Sequence, residues 1–254
     1  MAEPGAALVT GGGARLGQAM ALALGARGWA VAVHYRGSKA GAEDTAREIE
    51  AAGGQAALIQ ADLGSESGQS GVIARASEAL GKPLDLLVNS ASTFVDDSAA
   101  SHTREGWDFH MEANLRAPVH LSQQFAGALP ADRHGLIVNL IDQRVWKLNP
   151  QFFTYTLSKA ALLQATKTLA QAFAPRIRVN AIGPGPTLKS IHQTDDDFSA
   201  EARNTLTGEG SHPSEIVRAL LYFVDAPSVT GQMIAADGGQ HLMWQTPDVM
   251  GPNG

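Results

Sequence analysis

The sequence predicts an α/β fold, a doubly wound parallel sheet with helices on both faces in a three-layer α/β/α sandwich. Three observations carry this expectation. Short runs of apolar residues alternate with longer stretches of helical periodicity from the start of the chain to about residue 182. Within the short runs the apolar residues stand at successive positions, as strands buried on both faces require. A glycine-rich segment, Thr10-Gly-Gly-Gly-Ala-Arg-Leu-Gly17, joins the first apolar run to the first helical stretch. Alternation of this kind builds right-handed strand–helix–strand units.

Taken in order, the first strand is expected over Ala6–Thr10 and the first helix over 15–27. The second strand, Ala30–Tyr35, leads to a helix near 38–52, and the third, Ala56–Ala61, to one near 66–80. Leu84–Asn89 forms the fourth strand, followed by a long helical stretch over 103–128. The fifth, Leu136–Ile141, delivers Asp142 to its carboxyl end, and a helix over 153–173 returns the chain to a sixth strand at Ile177–Ala181. A last strand includes Met233–Ala236. Residues 184–211 break the alternation after Gly183-Pro-Gly-Pro-Thr187, and so long a connection reads as a cover over a substrate site.

The 254 residues suit one domain, 1–254, that buries roughly 70–75% of its unfolded surface. A net charge of -6 argues against nucleic acid as a partner but leaves room for a locally bound anion. With no cysteine, disulfides, thiol catalysis and thiolate metal sites are excluded. The histidines form no His-Glu-x-x-His pattern, so no metal is expected. No basic-then-apolar leader opens the chain and no run reaches 18 apolar residues, so a cytoplasmic protein away from membranes is expected.

The chemistry-bearing residues cluster at the expected carboxyl ends of the strands. Gly11 and Gly17 permit a tight turn and close packing, which lets a diphosphate approach a helix N-terminus. No acid ends the second strand, where an NAD-preferring site grips the ribose 2′-OH; Arg15, Arg36 and Ser38 instead suit a 2′-phosphate, so NADP(H) is the expected cofactor. Asp62-Leu63 after the third strand is placed to meet the adenine, although Asp62 could equally cap a helix. Asn89-Ser-Ala-Ser92 could run beside the nicotinamide ribose. Asn114 either organises a backbone kink or water near the lysine, or is merely a solvated helical residue. Tyr155 and Lys159 share one helical face, one turn apart. A lysine cation there would lower a phenol pKa that starts near ~10 and let the tyrosine trade a proton.

Taken together, Thr10–Gly17, Asp62-Leu63, Asn89–Ser92, Asn114, Tyr155-Thr-Leu-Ser-Lys159, Ile177–Gly185 and Gly231–Gly239 resemble the short-chain dehydrogenase/reductase family over essentially the whole chain. The resemblance implies a Rossmann-type core, nicotinamide-dependent oxidoreduction and a homotetramer. It adds Leu16, His34, Tyr35, Ser90, Ala91, Pro184, Gly185 and Thr187 to the cofactor contacts, with Tyr155 and Lys159. Within the family the chain is most similar to pteridine reductases and dihydromonapterin or dihydrofolate reductases. Arg15-Leu-Gly17, His34-Tyr-Arg36 with Ser38, Ala91-Ser-Thr-Phe94 and the Asp142–Tyr155–Lys159 set carry that likeness. Asp142 replaces the usual serine, and the chain departs from the reductase pattern at Asn89-Ser90 and at Gln143-Arg-Val-Trp146. By carry-over Phe94 stacks on a heterocyclic substrate opposite the nicotinamide, Ser92 and Arg15 border the same pocket, and Asp142 directs or relays the proton from Tyr155. The expected reaction is NADPH-dependent reduction of a dihydropterin, dihydromonapterin or dihydrofolate, with a carbonyl or another cyclic imine as the alternative substrate.

Overall fold

The computed structural model describes residues 4–189 and 193–244. Seven parallel strands form one sheet: β1 Ala6–Val9, β2 Ala30–Tyr35, β3 Gln55–Gln60, β4 Leu86–Asn89, β5 Gly135–Leu140, β6 Ile177–Pro184 and β7 Met233–Ala236. Their spatial order is β3-β2-β1-β4-β5-β6-β7, so the order reverses between β1 and β4. Open α/β sheets bind ligands in the crevice at the carboxyl ends of the strands beside such a switch point.

The successive apolar residues of the strands serve both faces. In β1, Ala6 and Leu8 face one layer, with Leu87 and Ile137, under Val72 and Ile73 of α4 (Val72–Leu80) and Leu121 and Phe125 of α6 (Ala117–Ala128). Ala7 and Val9 face the other, under Met20 and Leu24 of α1 (Arg15–Ala26) and Leu220 and Phe223 of α9 (Pro213–Asp225). Phe125 and Phe223 are among the largest fully buried side chains, each worth ~1.5–3 kcal/mol in transfer from water. Among the described residues no helix is long and apolar enough to cross a membrane.

Several element boundaries differ from the sequence expectation. β1 ends at Val9; Thr10 still bonds Val88 through its N–H at 2.9 Å, and its hydroxyl accepts the backbone N–H groups of Ser90 and Ala91, both at 2.9 Å. The stretch 66–80 is two helices, α3 (Glu66–Gln69) and α4: Ser70 turns to extended backbone and ends the first, and Gly71, at φ +68°, stands at the N-cap of the second. The stretch 103–128 is α5 (Arg104–Met111), a π turn over Glu112–Arg116 and then α6. β6 runs on to Pro184 because β7 pairs with it as far as Pro184↔Ala236. The remaining helices are α2 (Lys39–Ala51), α7 (Phe153–Phe173) and α8 (Asp195–Arg203). Residues 190–192 of the expected cover lie outside the described residues, whereas α8 within it opens with a capping box between Thr194 and Asp197.

Candidate active site

A cavity of about 1120 Å³ runs along the carboxyl ends of β1, β2, β4, β5 and β6. Its floor at one end is the loop after β1. Gly11 sits at φ +67°, and a Cβ on Gly17 would lie 2.2 Å from the carbonyl oxygen of Gly11. Only glycine allows the first turn of α1 to press on the loop so closely. Arg15 also has a positive φ, +51°, a backbone region that favours glycine. Leu16 packs down onto the core layer beneath the loop.

His34 lines the cavity beneath the glycine loop. It is 2% exposed, its Nδ1 accepts the N–H of Gly11 at 3.1 Å, and its Nε2 bonds the carbonyl of Ala61 at 3.2 Å. Burial lowers its pKa to about 4, so the ring stays neutral and holds the glycine loop from below. Tyr35 is half-buried against the core, while Arg36 and Ser38 stand exposed at the cavity rim. Asp62 and Leu63 also line the cavity. Asp62 caps no helix: its Oδ1 accepts the N–H of Gly64 at 3.0 Å, and Ser65 is the N-cap of α3.

Two predicted site residues stay out of the cavity wall. Asn89 is 2% exposed and donates to Asn139 Oδ1 at 2.8 Å, which ties β4 to β5 beneath the site. Asn114 is fully buried inside the π turn. Its Oδ1 accepts from Thr93 N at 2.8 Å and Ser92 Oγ at 3.1 Å, and its Nδ2 donates to the carbonyl of Thr93 at 3.0 Å and Ser158 Oγ at 3.3 Å. The side chain therefore clamps the loop after β4 to α7, and the kinked helix is what brings it there. Ser90, Ala91, Ser92 and Phe94 of that loop line the cavity, as do Pro184, Gly185 and Thr187 after β6.

The reacting groups meet where β5 ends and α7 begins. Tyr155 Oη donates to Asp142 Oδ2 at 3.0 Å, and Asp142 Oδ1 accepts the N–H of Arg144 at 2.8 Å. Lys159 is 3% exposed, donates to the carbonyl of Leu140 at 2.8 Å and stands 5.7 Å from the Tyr155 ring centre. Burial, and secondarily the Asp142 carboxyl, hold the Tyr155 phenol well above its usual pKa. This runs against the expectation of a lowered phenol: burial and the Asp142 carboxyl outweigh the one cation that opposes them, Arg144, and the phenol keeps its proton at neutral pH. Burial also raises Asp142 and lowers Lys159 to about 8.

Phe94 does not stand alone as a stacking platform. Its ring lies parallel to that of Phe152, centres 4.1 Å apart, and meets Tyr155 edge-on at 4.7 Å. Phe152 adopts a left-handed backbone, φ +52°, immediately before α7. The fork of Arg15 donates to the carbonyls of Leu188 and Lys189 at 3.0 and 2.9 Å, so it joins the glycine loop to the segment after β6.

Sequence reasoning missed the residues that hold α7 in place. The helix has no side-chain N-cap of its own. Asp97 supplies one from a distance: its Oδ1 accepts Thr154 N at 2.9 Å, its Oδ2 accepts the Thr154 hydroxyl, and its carbonyl accepts Phe153 N at 3.2 Å. His110, 1% exposed, bonds Thr154 Oγ1 at 2.7 Å from behind. Asp97→Ala is expected to lower stability by ~0.5–2 kcal/mol, as loss of a cap does. It should also lower turnover several-fold, because Tyr155 is the next residue after Thr154. Thermal melts and steady-state rates on the same preparation check both.

A family profile described as enoyl-(acyl carrier protein) reductase matches residues 13–241. The chain belongs to the short-chain dehydrogenase/reductase family. Within it, a probable 2,4-dienoyl-CoA reductase from Bacillus subtilis is 31% identical, covering 94% of this chain and 98% of that protein. The crystal structure of FolM alternative dihydrofolate reductase 1 from Brucella canis, complexed with NADP, is 47% identical with a TM-score of 0.94, covering 98% of each chain. The corresponding protein of Brucella suis, also in complex with NADP, is 48% identical with a TM-score of 0.94, covering 98% of this chain and 99% of that one. The family accounts for the glycine loop, the sheet order and the Tyr155–Lys159 pair. Asp142 is what sets this chain apart from members that carry serine in its place.

Proposed function

We propose that the protein is an NADPH-dependent reductase of pterin-type substrates, a dihydropterin, dihydromonapterin or dihydrofolate. The observation that carries the reading is the 3.0 Å bond between Tyr155 and a carboxyl at position 142, with Phe94 edge-on to the same tyrosine. Likeness to the two Brucella FolM reductases supports it.

The cofactor is NADP(H), and the residues present fit it. The glycine cradle admits a diphosphate at the start of α1, while Arg36 and Ser38 at the rim, with no acid beside them, suit a 2′-phosphate. When bound, it supplies the hydride. The protein supplies the rest. Tyr155 donates its phenolic proton to the ring nitrogen of a C=N bond as the neighbouring carbon is reduced, and the buried Lys159 cation stabilises the phenolate left behind. The Asp142 carboxyl, raised by burial, returns a proton to Tyr155. Its proton is committed to Tyr155, so it does not replace the serine hydroxyl that would donate to a ketone oxygen, which favours imine-like substrates. Residues 184–211 would act as the cover, with Phe198 and Glu201 of α8 on the cavity wall. A cytoplasmic homotetramer is the proposed assembly, to be checked by light scattering.

NADPH oxidation in the presence of dihydrobiopterin, dihydromonapterin, dihydrofolate and a ketone panel tests the assignment: pterin turnover is expected, and saturable ketone turnover without any pterin turnover refutes it. Arg36→Ala is expected to weaken NADPH binding by ~10-fold or more, the loss of a charge-assisted phosphate contact, and to change NADH binding little. Fluorescence titration of both dinucleotides measures this.

A further inference from the structure

Two side chains directly after Asp142, Gln143 and Arg144, line the cavity beside the reacting pair and take no part in the proton transfer. They fall in the stretch where the sequence departs from the reductases it resembles. Gln143 is 6% exposed, and its Oε1 is a buried oxygen with no hydrogen-bond partner among the described residues. A buried acceptor without a donor is costly; the oxygen is closed off from the cavity as the amide stands, and a turn of the amide, which exchanges oxygen and nitrogen, presents it to a donor that arrives with the ligand.

Arg144 keeps 17% of its side chain exposed. Its guanidinium carbon lies 4.9 Å from the centre of the Phe152 ring and 5.8 Å from that of Phe94, so two phenyl faces fix the fork at the substrate end. Its polar contacts are long: Nη1 to Asn149 Oδ1 at 3.4 Å, and Nε to Asp142 Oδ1 at 4.0 Å. Five N–H donors are thus largely unused by the described residues. The nearest carboxyl, Asp142, lies at the outer edge of ion-pair distance from Nε, and its other oxygen is engaged by Tyr155. Asp96, also on the wall, is occupied in accepting the N–H of Phe152 at 3.2 Å.

We propose that Gln143 and Arg144 form the selective edge of the substrate cavity. Gln143 Oε1 accepts an N–H of the heterocycle, and Arg144 holds a carboxylate carried on the substrate's side arm. The preferred substrates are then folate-type dihydropterins with an anionic arm rather than dihydropterins with neutral side chains. This rests on the pterin reductase reading and narrows it.

The test is steady-state kinetics with NADPH and two substrates, 7,8-dihydrofolate and 7,8-dihydrobiopterin, on wild type, Arg144→Gln, Arg144→Lys and Gln143→Met. In Arg144→Gln the ratio of kcat/KM for dihydrofolate over dihydrobiopterin is expected to fall ~10–100-fold, chiefly through KM. Arg144→Lys should restore part of it, and the rise of the dihydrofolate KM with added salt should flatten in Arg144→Gln. Gln143→Met should raise KM for both pterins ~10-fold with NADPH binding retained. A ratio that stays within threefold in Arg144→Gln overturns the anionic arm, and weakened NADPH binding in Gln143→Met overturns the ring contact. If wild type turns over both pterins and the ratio does not move, only the selective edge falls. If wild type turns over neither, the pterin activity itself falls with it.

Discussion

Tyr155→Phe is expected to lower dihydropterin reduction by ~10²–10⁴-fold while leaving NADPH binding nearly intact, because it removes the proton-donating hydroxyl and keeps the ring. The ring is 6% exposed and packs edge-on against Phe94, contacts that phenylalanine preserves. Asp142 loses one donor, the Tyr155 hydroxyl, but keeps the Arg144 N–H on its other oxygen, so the fold should tolerate the change. The phenol is held above its usual pKa by burial and by Asp142, which marks it as an acid that gives up its proton only as charge develops on the substrate. Single-turnover mixing separates the two effects. A mutant that reduces dihydropterin at the wild-type rate would remove the tyrosine from the reaction.

Asp142→Asn is expected to cost ~10–10³-fold in kcat, since the carboxyl is the partner that orients Tyr155 and returns its proton. It also moves the pH profile in a direction set by Lys159. Burial lowers that lysine to about 8, and the charge of Asp142 opposes the fall. In wild type the Lys159 cation is present below about 8, so the rate should decline as pH rises through that value. Asparagine removes the opposing charge, the cation becomes harder to keep, and the alkaline limb should move to lower pH. A limb that stays in place, or moves up, would show that another group sets it. Asp142→Ser completes the comparison by restoring the residue usual in the family, and it should shift relative activity toward carbonyl substrates.

The sheet was legible because its information is local. Strands buried on both faces, β1, β2, β4, β5 and β6, leave apolar runs, and these and the two edge strands β3 and β7 all appear within a few residues of where they are expected. The glycine loop and the Tyr155–Lys159 spacing were legible for the same reason: each is a short segment whose geometry its own residues dictate. What escaped depends on residues brought together from far along the chain. Asp97 caps α7 across more than fifty residues of sequence, and no local pattern marks it as a cap. His34 has the composition of a ligand but the position of a strut, a difference set by the pleat of β2 under the loop. Phe152 and Arg144 looked like loop residues until the turn after β5 folded them over Phe94. The direction of the tyrosine's shift was misjudged because burial, its largest cause, cannot be read from spacing.

The most direct measurement is a crystal structure of the protein with NADP and a bound dihydropterin. The account predicts the planar ring between Phe94 and the nicotinamide, with Tyr155 Oη within hydrogen-bonding distance of the nitrogen beside the carbon that receives hydride. A pterin bound elsewhere on the molecule, or a nicotinamide C4 turned away from Tyr155, would contradict it.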